Sequence, residues 1–194
     1  CTPRPSVFAS DRMATVLSLD TFLKGQINGP EFFEENFFTN GMLTLVDRVF
    51  RHLGGSSSGS SVFLLSQAMG GGKTHSMIAL GLLARDPELR KNVLGEQNPA
   101  PTLGRSRVVG FNGRSTDAAG GIWGSIAEQL GKAEQFARYV SPLLSAPGPE
   151  AWKQLLGGNP LVLFLDELPP YLEYAVAVQV GNAVPPLLAT QIAD

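Results

Sequence analysis

The chain is poor in cysteine, histidine and charge. A single cysteine, Cys1, among 194 residues excludes an intrachain disulfide framework and fits a reducing compartment, so a cytoplasmic location is expected. Two histidines beside that one cysteine give no zinc-type ligand spacing. Charged residues make up 16% and the formal net charge is −2, so bulk charge gives no support for nucleic acid as a partner. No apolar run approaches the roughly 18 residues of a membrane span, and the start shows no signal-peptide pattern; no membrane association is expected. The first residue is Cys rather than Met, which suggests a start inside a longer chain.

Apolar residues are plentiful at 43%, with 22 glycines and 14 prolines as punctuation. That composition predicts a globular chain of one domain or slightly more. Pro3 and Pro5 favour an extended start. Residues 15–23 are compatible with a strand or a short helix, and the pattern does not decide. Pro30 suits the first turn of a helix whose dipole Glu31, Glu34 and Glu35 complement. Met42, Leu43, Leu45, Val46, Val49, Phe50 and Leu53 recur at helical spacing over 40–53, closed by Gly54 and Gly55. The Ser/Gly run 56–61 reads as a connector.

The organising stretch is Ser61 to Leu83, SVFLLSQAMGGGKTHSMIALGLL. A strand is expected over Val62–Leu65. Gly70, Gly71 and Gly72 follow, then Lys73 and Thr74, then a helix over about 73–85. Strand, glycine loop, Lys-Thr and helix make a phosphate-binding loop. Consecutive glycines let backbone N–H groups curl around phosphate oxygens, and the helix aims its positive end at them. Lys73 is expected on the β and γ phosphates, and the Thr74 hydroxyl on Mg²⁺. The Walker A octet is residues 67–74, with Gln67 in the place of its first glycine.

Further on, a turn of helix is expected at 87–94, a strand at 107–111 closed by Asn112-Gly113, and an amphipathic helix over the whole of 122–140. A short helix is expected at 150–156, and Gly157 to Pro160 is a turn. Leu161 to Leu165 has the continuous apolar character of a strand buried on both faces of a parallel sheet. Asp166 and Glu167 end it, and 161–167 has the form of a Walker B element. Asp166 is expected to hold Mg²⁺, and Glu167 to polarise the attacking water as general base. A carboxylate beside the metal ligand favours NTP hydrolysis over phosphotransfer, for which no acceptor pocket or lid is visible.

Residues 67–84, 110–132 and 161–175 together resemble a family of large prokaryotic P-loop ATPases of the AAA-like type, the domain of unknown function 499. Residues 30–50 resemble the region before that family's phosphate loop, so the likeness covers most of 1–182. It implies an α/β fold, a P-loop NTPase core of the additional-strand, catalytic-glutamate type, with a parallel sheet flanked by helices. It implies ATP and Mg²⁺ as ligands. It also implies a homo-oligomer or a larger phage-defence complex with a methyltransferase or helicase. Gly70, Gly71, Gly72, Lys73 and Thr74 match the family's phosphate loop, and Asp166 and Glu167 its acidic pair. In such ATPases the segment before the loop, here Glu34 to Met42, approaches the adenine. The expected organisation is an N-terminal region, 1–55, followed by a partial ATPase core, 56–194.

Family members are longer, and the likeness ends near 181–183. The later strands of the core, including the one between the phosphate-loop strand and the acidic strand, have no counterpart in 168–194. The expectation is therefore a core truncated after the Walker B strand, with weak or no hydrolysis by this polypeptide alone. Two readings stay open: an ATPase domain, or a nucleotide-binding or interaction module that does not hydrolyse. No arginine finger is assignable; Arg105, Arg107, Arg114 and Arg138 read as solvated or structural. His75 reads as structural or solvated, Trp123 as core or interface, and Asn112-Gly113-Arg114 as a plain turn, with a place at the nucleotide or partner edge as the alternative.

Overall fold

The computed structural model describes residues 17–56, 60–66, 72–114, 120–140 and 146–173. The described residues open on α1 (Leu19–Leu23), where Ser18 and Thr21 form a reciprocal capping box; of the undecided 15–23 stretch, residues 15 and 16 lie outside the described residues and the rest is helix from residue 19. Next come α2 (Gly29–Glu35), with Pro30 in its first turn, and α3 (Asn40–Leu53), N-capped by Thr39. The helix after the glycine loop is α4 (Lys73–Arg85). Asp86 then caps α5 (Pro87–Leu94) through two backbone amides. The strands are β1 (Arg107–Asn112) and β2 (Leu161–Asp166), joined through α6 (Gly121–Gln129), α7 (Ala133–Phe136) and α8 (Pro149–Leu156).

The two strands pair in parallel, Arg107 with Leu161 through Asn112 with Asp166. Helices cover both faces, as parallel strands require. On one face Val108, Val162 and Phe164 join the larger core with Leu19, Phe22, Phe50, Ile78 and Leu83. On the other, Val109 packs with Ile126, Ala127, Phe136 and Leu155, and Leu161 and Leu163 lean on that second cluster. Mixed α/β architecture with a parallel strand pair is thus what the chain adopts. Among the described residues no helix is long and apolar enough to cross a membrane.

Helix α4 is the centre of the larger core. Every residue from Met77 to Ala84 is buried, as expected of a helix that is apolar all round. Gly81 is where it meets both neighbours. A Cβ there would lie 2.4 Å from the Phe22 ring and 3.0 Å from Phe164. Those two rings meet edge to face across it, at 6.3 Å. Two arginines, Arg85 half-buried and Arg90 buried, tie the periphery to this core through backbone carbonyls. Arg85 donates to the Phe22 and Val108 carbonyls. Arg90, only 1% exposed, donates to those of Leu83 and Leu103. Burial pushes both guanidinium groups below their ordinary range.

Three sequence expectations need correction. Residues 62–65 form no strand, although their exposure alternates: Phe63 and Leu65 pack on the core while Val62 and Leu64 are 78% and 87% exposed. Strand character needs a hydrogen-bonding neighbour, and among the described residues the sheet holds β1 and β2 alone. The Val62 amide turns instead to the Ser60 hydroxyl. The single helix over 122–140 is broken at Gly131, which takes φ +68°. There the Lys132 amide donates back to the Ala127 carbonyl at 2.7 Å, a Schellman closure that ends α6. Glycine stops this helix rather than weakening it. Finally, β2 is fully buried at Val162 and Phe164 on one face but only half-buried at Leu161 and Leu163 on the other, and Leu165 near its end is 43% exposed.

Candidate functional site

The acidic end of β2 and the first turn of α4 converge. The Thr74 hydroxyl lies 3.5 Å from Asp166 Oδ2, across 92 residues of sequence. Both side chains are half-buried. The packing of α4 over both strands sets this approach, because β2 delivers Asp166 at its C-terminal edge and α4 starts beside that edge. A hydroxyl and a carboxylate are hard oxygen donors, the ligand type that suits Mg²⁺.

Gly72 precedes α4 in the left-handed region, φ 77° and ψ 20°, a conformation that glycine adopts without steric cost. As the N-cap residue it has no side chain to cap the first-turn amides. Its carbonyl accepts from the Ser76 amide and hydroxyl at 2.9 and 3.0 Å. The first turn of α4 carries no acidic residue but does carry Lys73 and His75. A cation at this end opposes the helix dipole unless an anion sits there too. Of the predicted glycine loop, Gln67 to Gly71 lie outside the described residues, so Gly70 and Gly71 are not located.

Glu167 follows Asp166 with φ +48°, a left-handed value for a residue other than glycine. Such conformations cost free energy and cluster where function requires them. Its amide donates to Asp166 Oδ1 at 3.1 Å. Its carboxylate is partly exposed and lies 3.5 Å from Arg114 Nη2. Two of the other arginines serve structure: Arg107 donates to the Leu156 carbonyl at the end of α8, and Arg138 lies over the Tyr139 ring.

Beside the start of α4 a cavity of about 200 Å³ is lined by Asn36, Phe37, Thr39, Met42, Leu65, Gly72 and His75, among others. The aromatic cluster next to it is closely ordered. Phe33 stacks on Phe38 at 5.3 Å with an interplanar angle of 4°, and Phe32 abuts both Phe33 and the His75 imidazole. Phe37 stands apart from that cluster, 82% exposed at the cavity. Trp123 packs on the second core and donates to the Tyr139 carbonyl at 3.0 Å.

Sequence reasoning did not find Asn112, Gly113 and Arg114 as neighbours of Glu167, nor Asp20, whose carboxylate accepts from Asn112 Nδ2 at 3.0 Å. The Asn-Gly pair at the strand end was the available signal, and it reads as a turn. Residues 26–100 match the family model of the DUF499 N-terminal domain. That stretch runs from before α2 to beyond α5, so it takes in Gly72, Lys73 and Thr74 and stops short of both strands. No curated protein and no solved structure matches the chain.

Proposed function

With residues 26–100 belonging to the DUF499 N-terminal domain, we propose that the chain binds ATP with Mg²⁺ at the start of α4 and that its fold is a P-loop ATPase core. The carrying observation is the approach of Thr74 Oγ1 to Asp166 Oδ2. A phosphate-loop hydroxyl and an acidic strand end have no structural need of each other, yet packing brings them together.

Gly72, Lys73 and the first amides of α4 hold the phosphates, as anions are held at helix N-termini. Thr74 and Asp166 hold Mg²⁺, which supplies charge neutralisation at the phosphates. Glu167 orients and polarises water. The cavity at Phe37 and Met42 receives the base. At about 200 Å³ it is smaller than the roughly 300–1,000 Å³ sites that engulf whole drug-sized ligands, and so suits one planar heterocycle. Asn36 uses Nδ2 on the Phe32 carbonyl, which leaves Oδ1 as its acceptor for an exocyclic amine.

A second reading, binding without turnover, is favoured by the unpaired state of 62–65 among the described residues. Titration of ATP with and without Mg²⁺ tests binding in wild type and Lys73→Ala. Phosphate release in wild type and Glu167→Gln separates the two readings. Unchanged affinity in Lys73→Ala would sink the phosphate-loop assignment. The cellular setting, a cytoplasmic defence or DNA-processing complex, is proposed on the family resemblance alone.

A further inference from the structure

The turn that closes β1 is built around Glu167. Gly113 donates its amide to the Asp166 carbonyl at 2.8 Å. A Cβ on Gly113 would lie 2.1 Å from the Glu167 carbonyl oxygen, 2.8 Å from its carbonyl carbon and 3.0 Å from Leu168 Cα. All three are backbone atoms, which cannot swing aside as a flexible side chain can. Gly113 does not have a positive φ, so the demand here is for space. The residue it presses on is the one non-glycine residue with positive φ among those described. The turn itself is anchored: Asn112 Oδ1 accepts from the Arg114 amide at 3.1 Å, and Asn112 Nδ2 donates to Asp20 on α1. Arg114 then reaches the Glu167 carboxylate. That pair is exposed and contributes little stability, so its value lies in where it points the carboxylate.

We propose that Asn112, Gly113 and Arg114 are positioning residues for Glu167: Gly113 seats its backbone, Arg114 orients its carboxylate, and the Asn112–Asp20 contact fixes the seat to α1. The proposal rests on the reading of Glu167 as the group that polarises water. It replaces the plain-turn reading of this segment.

The test uses the full chain with ATP and Mg²⁺. Single-turnover phosphate release with protein in excess is measured for wild type, Gly113→Ala, Asn112→Ala, Glu167→Gln and the double variants. Nucleotide affinity is measured in parallel. Gly113→Ala is expected to slow hydrolysis by about a hundredfold, the scale of an ångström-level misplacement, with affinity within about twofold of wild type. Its loss is expected not to add to that of Glu167→Gln, the signature of groups that act as one unit. Hydrogen exchange reads the seat without nucleotide: protection of the residue 113 amide is expected to fall in both turn variants. Should Gly113→Ala fail to fold, Asn112→Ala carries the same readouts, since it removes the anchor and adds no atoms. Additive losses, wild-type turnover in a turn variant, or unchanged exchange overturn the proposal. A wild-type chain that binds no ATP overturns the nucleotide reading instead. One that binds ATP and releases no phosphate in a single turnover overturns the hydrolytic role of Glu167 and, with it, the use proposed for the seat.

Discussion

Thr74 Oγ1 and Asp166 Oδ2 stand 3.5 Å apart, at the outer limit of a hydrogen bond. The contact therefore contributes little to folding, and losing it should cost little stability. The Mg²⁺ proposed between them makes the opposite demand on function. Asp166→Asn and Thr74→Ala are each expected to weaken ATP binding in Mg²⁺ by about tenfold or more, the scale of a charge-assisted contact. Binding in excess chelator should change far less. Isothermal titration in the two buffers checks this, and equal losses with and without Mg²⁺ would remove both residues from the proposed metal site.

Phe37 gives an independent check on the cavity proposed to receive the base. It is 82% exposed although its neighbours Phe33 and Phe38 are stacked, so the chain forgoes the roughly 1.5–3 kcal/mol that burying a phenylalanine contributes. In the proposed complex, stacking on a base recovers part of that. Phe37→Ala is expected to weaken ATP binding about tenfold, within the roughly 1–3 kcal/mol attributed to a stacked base. It should leave the melting temperature and the Mg²⁺ dependence unchanged. Phe37→Trp should retain affinity. Fluorescence titration with a base-modified analogue reads the contact directly, and affinity indifferent to residue 37 would place the base elsewhere.

The sequence was most legible where one local signal decided the structure. Helix α3 begins and ends as its apolar spacing and Gly54 predict, and α4 starts at Lys73. Strand β2 ends at Asp166, which puts the acidic pair at the sheet edge. Legibility failed where a neighbour decides. Val62–Leu65 has strand composition, but pairing depends on what lies beside it, which local pattern does not encode. Gly131 reads locally as a glycine tolerated within one helix over 122–140, whereas its left-handed backbone and the Lys132–Ala127 bond make it the stop. The link from Asp20 through Asn112 to Arg114 and Glu167 spans three separate segments and has no local signature at all.

Gly81 tests the packing account. The helix itself gains from replacing glycine, by up to roughly 1 kcal/mol for Ala and less for the β-branched Val. Against this, a side chain at 81 would enter the Phe22 ring at 2.4 Å, and that ring is held under the Arg85 guanidinium at 4.2 Å. Overpacking of a core typically costs about 1–3 kcal/mol, so sterics win. Gly81→Val is expected to lower the midpoint of urea denaturation with an unchanged slope. Phe22→Leu in the same chain should restore part of the loss, because it withdraws the ring. A Gly81→Val chain as stable as wild type would mean that α1 is not packed on α4 through this ring.

Among the described residues β1 pairs with a strand along one edge alone, and a side chain closes the other. Gln129 Nε2 donates to the Gly110 carbonyl at 2.7 Å, and the Gly110 amide donates to Gln129 Oε1 at 3.0 Å. The amide copies the two bonds that a further strand would make, and so blunts an edge open to pairing with other chains. Gln129→Ala removes both bonds and is expected to cost about 1–3 kcal/mol at about 0.5–1.5 kcal/mol each. It should also raise self-association, seen as a concentration-dependent mass in light scattering. Gln129→Glu supplies the sharper result. The introduced carboxyl can serve Gly110 fully only when protonated, because an ionised oxygen would face the Gly110 carbonyl. Its folded pKa should then lie above the ordinary glutamate value of about 4.3. A group raised in this way contributes stability that is complete below the unfolded pKa and is lost as pH rises through the folded pKa. Relative to wild type, Gln129→Glu is therefore expected to lose stability between about pH 4 and pH 7. A difference that stays flat across that range would show that the carboxyl does not sit on the edge of β1.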